Sequence, residues 1–337
     1  MSWFSLGSLT LPYQLQRQGV ALRSDMARLG QELTTGQTAN PQRHLQGDIA
    51  PLAAIETRLA RIESFTQSSK STALRVDAMQ NAMGQLEAAR SDISSKLLLS
   101  PNSGAPEDML RSLGTSASHA LGSAVSALSL SVAGQTAFSG TATDRAPLVP
   151  AAQIMSEISA RVGALTTADA IVAEVNKAFH DAGELFDTSF YQGSEAGPGA
   201  KTSADSGDAA RLPTAADTPI RAALSGLVIA ALLADDTLAI DQDARQDLAR
   251  QGALALIDAG PALTGMQAGL GDEQARLDAQ AVQFTTERDA LTSARQGMIG
   301  VDPYEAAMQL EQTRVQLETL YTVTARTSRL SLTEYLR

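Results

Sequence analysis

DPYEAAMQLEQTRVQLETLYTVTARTSRLSLTEYL, residues 302–336, and YQLQRQGVALRSDMARLGQEL, residues 13–33, are the two stretches that decide the fold. In the first, Leu310 and Leu317 stand seven apart, Leu320 and Val323 follow in steps of three, and Leu330, Leu332 and Leu336 extend the apolar pattern. In the second, Leu15, Leu22 and Leu29 recur every seven residues, with Met26 and Leu33 each four beyond a seam leucine. Such spacing gathers apolar side chains on one helix face, the arrangement used between packed helices. Asp302, Pro303 and Glu305 suit the cap, first and third positions of a helix start, where an acceptor, a missing N–H and a back-reaching carboxylate are each favourable. Two seam-bearing helices lie near opposite ends of the sequence, and both seams are best satisfied if the ends pack against each other.

Working inward, the first helix is expected to stop at Leu33-Thr34-Thr35-Gly36, because Asn40-Pro41 disfavours helical continuation. Leu52, Ile55, Leu59 and Ile62, then Val76, Met79, Met83, Leu86, Ile93 and Leu97, step by three and four. Gly84 weakens that run without ending it, so a helix about 70 Å long is expected, followed by a turn at 101–106. Leu110, Leu113, Ala117, Leu121, Ala124 and Leu128 mark a returning helix that stops near Gly134, and 135–150 reads as extended or turn structure. Helices are expected at 152–164, 167–186, 220–234 and 242–258, with loops and short strands over 193–219, where Gly, Pro, Ser and Asp collect. After Gly271 the seam resumes at Leu277, Phe284, Leu291 and Met298.

The expected fold class is mainly α: a long helical rod built from paired N- and C-terminal segments, with a smaller mixed α/β domain inserted in the middle. The divisions are a terminal helix at 1–40, one half of the rod at 41–145, the inserted domain at 146–260, the other half of the rod at 261–301 and a second terminal helix at 302–337.

Composition narrows the function. Aromatic residues make up only 4% of the chain, which suits long helices packed through aliphatic residues better than a compact enzyme with an aromatic-rich pocket. A net charge of −11 and a pI near 4.8 argue against nucleic acid, whose binding depends on Lys and Arg, and against anionic membrane surfaces. The most apolar run, Leu227 to Ala234, is too short for membrane insertion. There is no cysteine, which removes disulfides, thiolate metal sites and cysteine nucleophiles. The opening MSWFSLGSLTLPY lacks the basic and continuous apolar regions of a cleaved signal peptide.

The chemical motifs are weak. His44, His119 and His180 have no metal-ligand spacing. Gly197-Pro198-Gly199-Ala200-Lys201-Thr202 lacks a phosphate loop's second glycine, and Gly269-Leu270-Gly271 has Gln274 where a dinucleotide fingerprint needs glycine. Asp241-Gln242-Asp243 begins like a calcium loop that Arg245 and Gln246 then break, so it reads as an acidic helix start. Asp235-Asp236 reads as a solvated helix end. No catalytic residue, metal or cofactor is expected.

Four segments resemble the flagellin superfamily, and within it most nearly the hook-filament junction proteins, hook-associated protein 3. These are Leu33-Thr34-Thr35-Gly36 followed by Asn40-Pro41, Gly134-Gln135-Thr136-Ala137-Phe138-Ser139-Gly140-Thr141, Tyr191-Gln192-Gly193, and the run from Asp302 to Leu336 with its terminal leucines. The resemblance covers about 1–145 and 265–337. It implies a structural part of the bacterial flagellum, an adaptor joining another hook-associated protein to flagellin, with its own copies arranged in a helical ring. It also implies an export chaperone before secretion, export without a cleaved signal, and an extracellular place on the flagellum. The terminal helices would order on assembly, with Leu15, Leu22, Met26, Leu29, Leu33, Leu310, Leu317, Leu320, Val323, Leu330, Leu332 and Leu336 as candidate assembly contacts. A flagellin-like filament subunit, or a cytoplasmic coiled-coil scaffold with a stably helical N-terminus, would carry similar seams.

Overall fold

The computed structural model describes residues 7–99, 106–132, 134–194 and 211–335, with side chains placed from 13 to 327. In chain order these form α1 (Gly7–Thr35), α2 (Pro41–His44), α3 (Ala50–Leu98), α4 (Glu107–Leu128), a hairpin of β1 (Ser131–Val132) and β2 (Gln135–Thr136), α5 (Ala151–Val162) and α6 (Ala168–His180). A π-helical turn (Phe186–Phe190), α7 (Thr218–Ala231) with a 3-10 turn (Leu232–Ala234), α8 (Gln242–Ile299) and α9 (Pro303–Tyr335) complete them. The protein is mainly α, and its N- and C-terminal segments are paired. It divides into two compact units, Met1–Glu63 with Phe284–Arg337, and Ser64–Gln283.

Ser64–Gln283 holds the large core. Its buried set runs from Val76 through Leu277 and draws on α3, α4, α5, α6, α7 and α8 together. The 146–260 segment, expected as an inserted mixed α/β domain, therefore shares its core with helices on either side. Its regular elements are helical, and a bridge joins Leu148 to Tyr191. The apolar run at 227–234 is the buried end of α7, whose residues from Ala223 to Leu233 are covered on every side, as expected of a helix that is apolar all round. Among the described residues no helix is long and apolar enough to cross a membrane.

Small residues set the helix spacing here. A Cβ on Gly114 of α4 would fall 2.3 Å from the Ala234 nitrogen, and one on Gly226 of α7 would fall 2.8 Å from Leu256 Cδ2 of α8. At Gly114 the backbones approach too closely for a side chain, and at Gly226 the missing side chain makes room for that of Leu256.

The Gly134–Thr141 motif is a buried tie. Phe138 is fully buried, and its carbonyl accepts from Ala215 N at 3.0 Å. Arg75 of α3 donates to Ala137 O at 2.7 Å and to Gly140 O at 3.3 Å, and burial pulls its pKa down. Thr136 Oγ1 meets Ser139 Oγ and donates to Arg145 O. Tyr191, from the Tyr-Gln-Gly segment, donates to Ser194 O at 2.6 Å and stacks on Phe186. Phe179 meets Phe186 and Phe190 with ring centroids 5.6 Å apart, and the Arg221 guanidinium lies 4.3 Å over the Phe186 ring, close enough for cation–π attraction. Phe179, Phe186, Phe190 and Tyr191 thus form one aromatic cluster.

Several local expectations change. The helix expected to reach 186 ends at His180, where Asp181 turns extended and Gly183 takes φ +79°. The break expected between 258 and 271 is absent, and α8 is continuous through Pro261. Proline cannot donate to the preceding turn, but Arg90 of α3 donates to Leu256 O at 2.8 Å in that turn. Asp241 caps α8, its Oδ1 accepting from Ala244 N at 2.8 Å. The expected turn at 101–105 and the Gly197–Thr202 segment lie outside the described residues, as does most of the loop region expected at 193–219.

Two outcomes test this packing. Gly114→Val should destabilise the protein by about 1–3 kcal/mol through overpacking, whereas Gly122→Ala, whose added methyl meets nothing within 4 Å, should stabilise by about 0.5–1 kcal/mol. Denaturant unfolding of each variant distinguishes the two. The second concerns His180, whose pKa is lowered by burial and by Arg221, against an opposing pull from Asp181. The unfolded chain takes up a proton near 6.5, before the folded chain does, so stability falls as pH drops from that value to the lowered one. The fall in denaturation midpoint from about pH 7 to about pH 5 should be smaller in His180→Gln.

Candidate assembly interface

Met1–Glu63 with Phe284–Arg337 is built on the pairing of α1 with α9. Their inner faces carry the predicted seams. Leu29 is buried at 3% exposure, Leu15, Leu22 and Met26 are half-buried, and Leu33 lies at the exposed edge at 36%. On α9, Leu310, Leu317 and Leu320 are half-buried and Val323 is exposed. The side chains of Leu330 and Leu332, and the whole of Leu336, lie outside the described residues. Leu15, Leu22, Leu320 and Val323 come together with Ala21, Val315 and Thr319 around an apolar groove of about 590 Å³. Gly19 marks the close point between the helices, since a Cβ there would stand 3.2 Å from Leu320 Cδ2.

The seam analysis missed a second set of apolar positions. Tyr13 and Val20, seven apart on α1, are exposed, as are Tyr304, Met308 and Val315 on α9. From 3.6 residues per turn, the Tyr13–Val20 stripe lies roughly opposite Leu15 and Leu22, and the Tyr304–Met308 stripe roughly opposite Leu310 and Leu317, while Val315 also lines the groove. The spacing of these residues was visible in the sequence, but they were masked by the denser leucine pattern beside them. Each terminal helix therefore has apolar residues on two faces, and the pairing of the two covers one face of each.

Charge contributes less. Arg28 bonds Glu32 at 3.0 Å and Asp25 at 3.5 Å, and Arg314 approaches Glu318 at 3.5 Å and Glu311 at 3.9 Å. Arg58 of α3 reaches Glu287 of α8 at 2.5 Å, which holds its guanidinium above the usual pKa. Exposed pairs of this kind contribute little to stability. Among the described residues no group of three His, Asp or Glu side chains could hold a metal ion.

Residues 255–336 match the family model described as the bacterial flagellin C-terminal helical region. The matched stretch takes in the later part of α8 and α9, so it includes the C-terminal partner of the helix pair. The match supports a place in the flagellin superfamily. No curated protein matches the chain.

Gly19→Leu adds atoms where the gap to Leu320 is already tight, so α1 should be wedged off α9 at a cost of about 1–3 kcal/mol. Amide exchange should then quicken along both helices, while the unfolding midpoint of Ser64–Gln283 stays in place.

Proposed function

We propose that this protein is a structural subunit of the bacterial flagellum, an adaptor at the hook–filament junction that joins another hook-associated protein to flagellin. In this reading its copies form a helical ring through α1 and α9, after export without a cleaved signal and with a chaperone's help. The observation that carries the proposal is the pairing of two terminal helices that each leave an apolar stripe uncovered, the second of them within the segment matched by the flagellin C-terminal model. Contiguous exposed apolar residues mark interaction surfaces, and a head-to-tail contact that does not close on itself builds a helical array. The seam residues from Leu15 to Leu33 and from Leu310 to Leu336 would hold the pair together, and the outer stripes would meet neighbouring copies.

The same match also favours a second reading, a flagellin-like filament subunit. The two separate in one experiment. Purified adaptor should form rings or short caps and seed flagellin, whereas a filament subunit should grow long filaments alone. In cells, loss of the adaptor should leave hooks in place and release flagellin into the medium.

Val20→Asp and Met308→Asp put a charge on each outer stripe. Both should abolish ring formation, seen by sedimentation, and shift the unfolding of Ser64–Gln283 by less than about 0.5 kcal/mol. Assembly at wild-type concentrations in both variants would remove the outer stripes from the interface.

A further inference from the structure

Two chain crossings lie side by side at the base of the terminal helix pair. The chain leaves α1 through 36–40, and α8 passes to α9 through 300–302. Gln37 and Gly300 form an antiparallel bridge. Thr38 N donates to Ile299 O at 2.8 Å, Val301 N donates to Gly36 O at 3.1 Å, and Gln296 Nε2 donates to the same Gly36 oxygen at 3.1 Å. Both glycines are required by geometry. Gly36 has φ +64°, which other residues rarely adopt, and a Cβ on Gly300 would stand 2.4 Å from Gln296 O.

Glu32, in the last turns of α1, closes the knot. Its carboxylate is buried, and it accepts from Ala39 N at 3.0 Å and from Arg28 at 3.0 Å. Burial is graded along the pair. On the inner faces Leu29, Ile299 and Ala306, with Glu32 beside them, are buried close to the crossings, whereas Leu15, Leu22, Leu310, Leu317 and Leu320 farther out are only half-buried.

We infer that the joined crossings at 36–40 and 299–302 form a closed root from which α1 and α9 zip outward as one cooperative element. In the free chain the root stays shut while the distal turns open and close. A helix nucleus is costly and its growth is easy, so a fixed root supplies the start from which each partner extends. The coupling follows from the bonds: neither helix can swing on its own crossing without breaking hydrogen bonds to the other.

Residue-resolved amide exchange on the full chain, free in solution, tests this. The Thr38 and Val301 amides should exchange at least about tenfold more slowly than those of 13–22 and 315–323. Gly300→Ala changes only the second crossing and Glu32→Ala only the first, yet each should speed exchange at both Thr38 and Val301 by about tenfold or more. Gln296→Ala, which removes a single bond, is the milder variant and should speed both amides by a smaller factor. Unchanged exchange in Ser64–Gln283 shows that each variant remains folded. The inference is overturned if wild-type root amides exchange as fast as the distal turns, or if opening in the variants stays confined to the mutated crossing.

Discussion

Two helices laid side by side bury one strip each, and a pair alone has no inside. This limit governs everything at the termini. The contact between α1 and α9 covers Leu29 and Ala306 but leaves Leu15, Leu22, Leu310, Leu317 and Leu320 only half-buried and the outer stripes in water. Apolar area contributes to stability only when removed from water, at about 25 cal/mol per Å², while ordering each backbone residue costs about 1–2 kcal/mol. A helix pair with so few covered side chains gains little beyond its root. It becomes favourable when other surfaces cover the remaining stripes.

Ser64–Gln283 follows the opposite plan. Its helices enclose a shared core in which α7 is covered on every side, four aromatic residues meet in one cluster, and close approaches are made at Gly114 and Gly226. Two arginines there are tied to backbone: Arg75 holds the carbonyls of the Gly134–Thr141 segment, and Arg245 donates to Leu233 O. A segment closed in this way needs no neighbour to be stable. Within one chain, a self-sufficient core is combined with a helix pair whose burial is incomplete.

How much of this was legible in the sequence depends on the range of the interaction responsible. The seams at 13–33 and 302–336, the helix starts at Asp241 and Asp302, and the long helix through Gly84 are set by residues within a few turns of each other, and periodicity and cap chemistry reveal them. Pro261 and the glycines around it look like a break because they are locally unfavourable to a helix; the contacts that hold α8 there are distant in sequence, as with Arg90, which lies 166 residues away from the Leu256 carbonyl it meets. The shared core of 146–260 was hidden for the same reason, since a run of ordinary amphipathic helices does not announce which distant helix it packs on. In the interface, spacing revealed the inner stripe, whereas Glu32 and Gly300 carry no periodic signal and acquire their roles only when the two crossings meet.

That meeting has a consequence for specificity. Heptad seams are permissive about register, because a shift of seven residues restores much of the same apolar overlap. The crossings are not permissive. A bridge fixed at Gln37 and Gly300, with backbone hydrogen bonds on either side, sets one register for α1 against α9 before the seams are engaged. The outer stripes, Tyr13 and Val20 on one helix and Tyr304 and Met308 on the other, are then held in a constant relation to each other. A repeating assembly needs every copy to present the same surface, and here that uniformity comes from two glycines and a buried carboxylate at the root, while the leucines supply the adhesion.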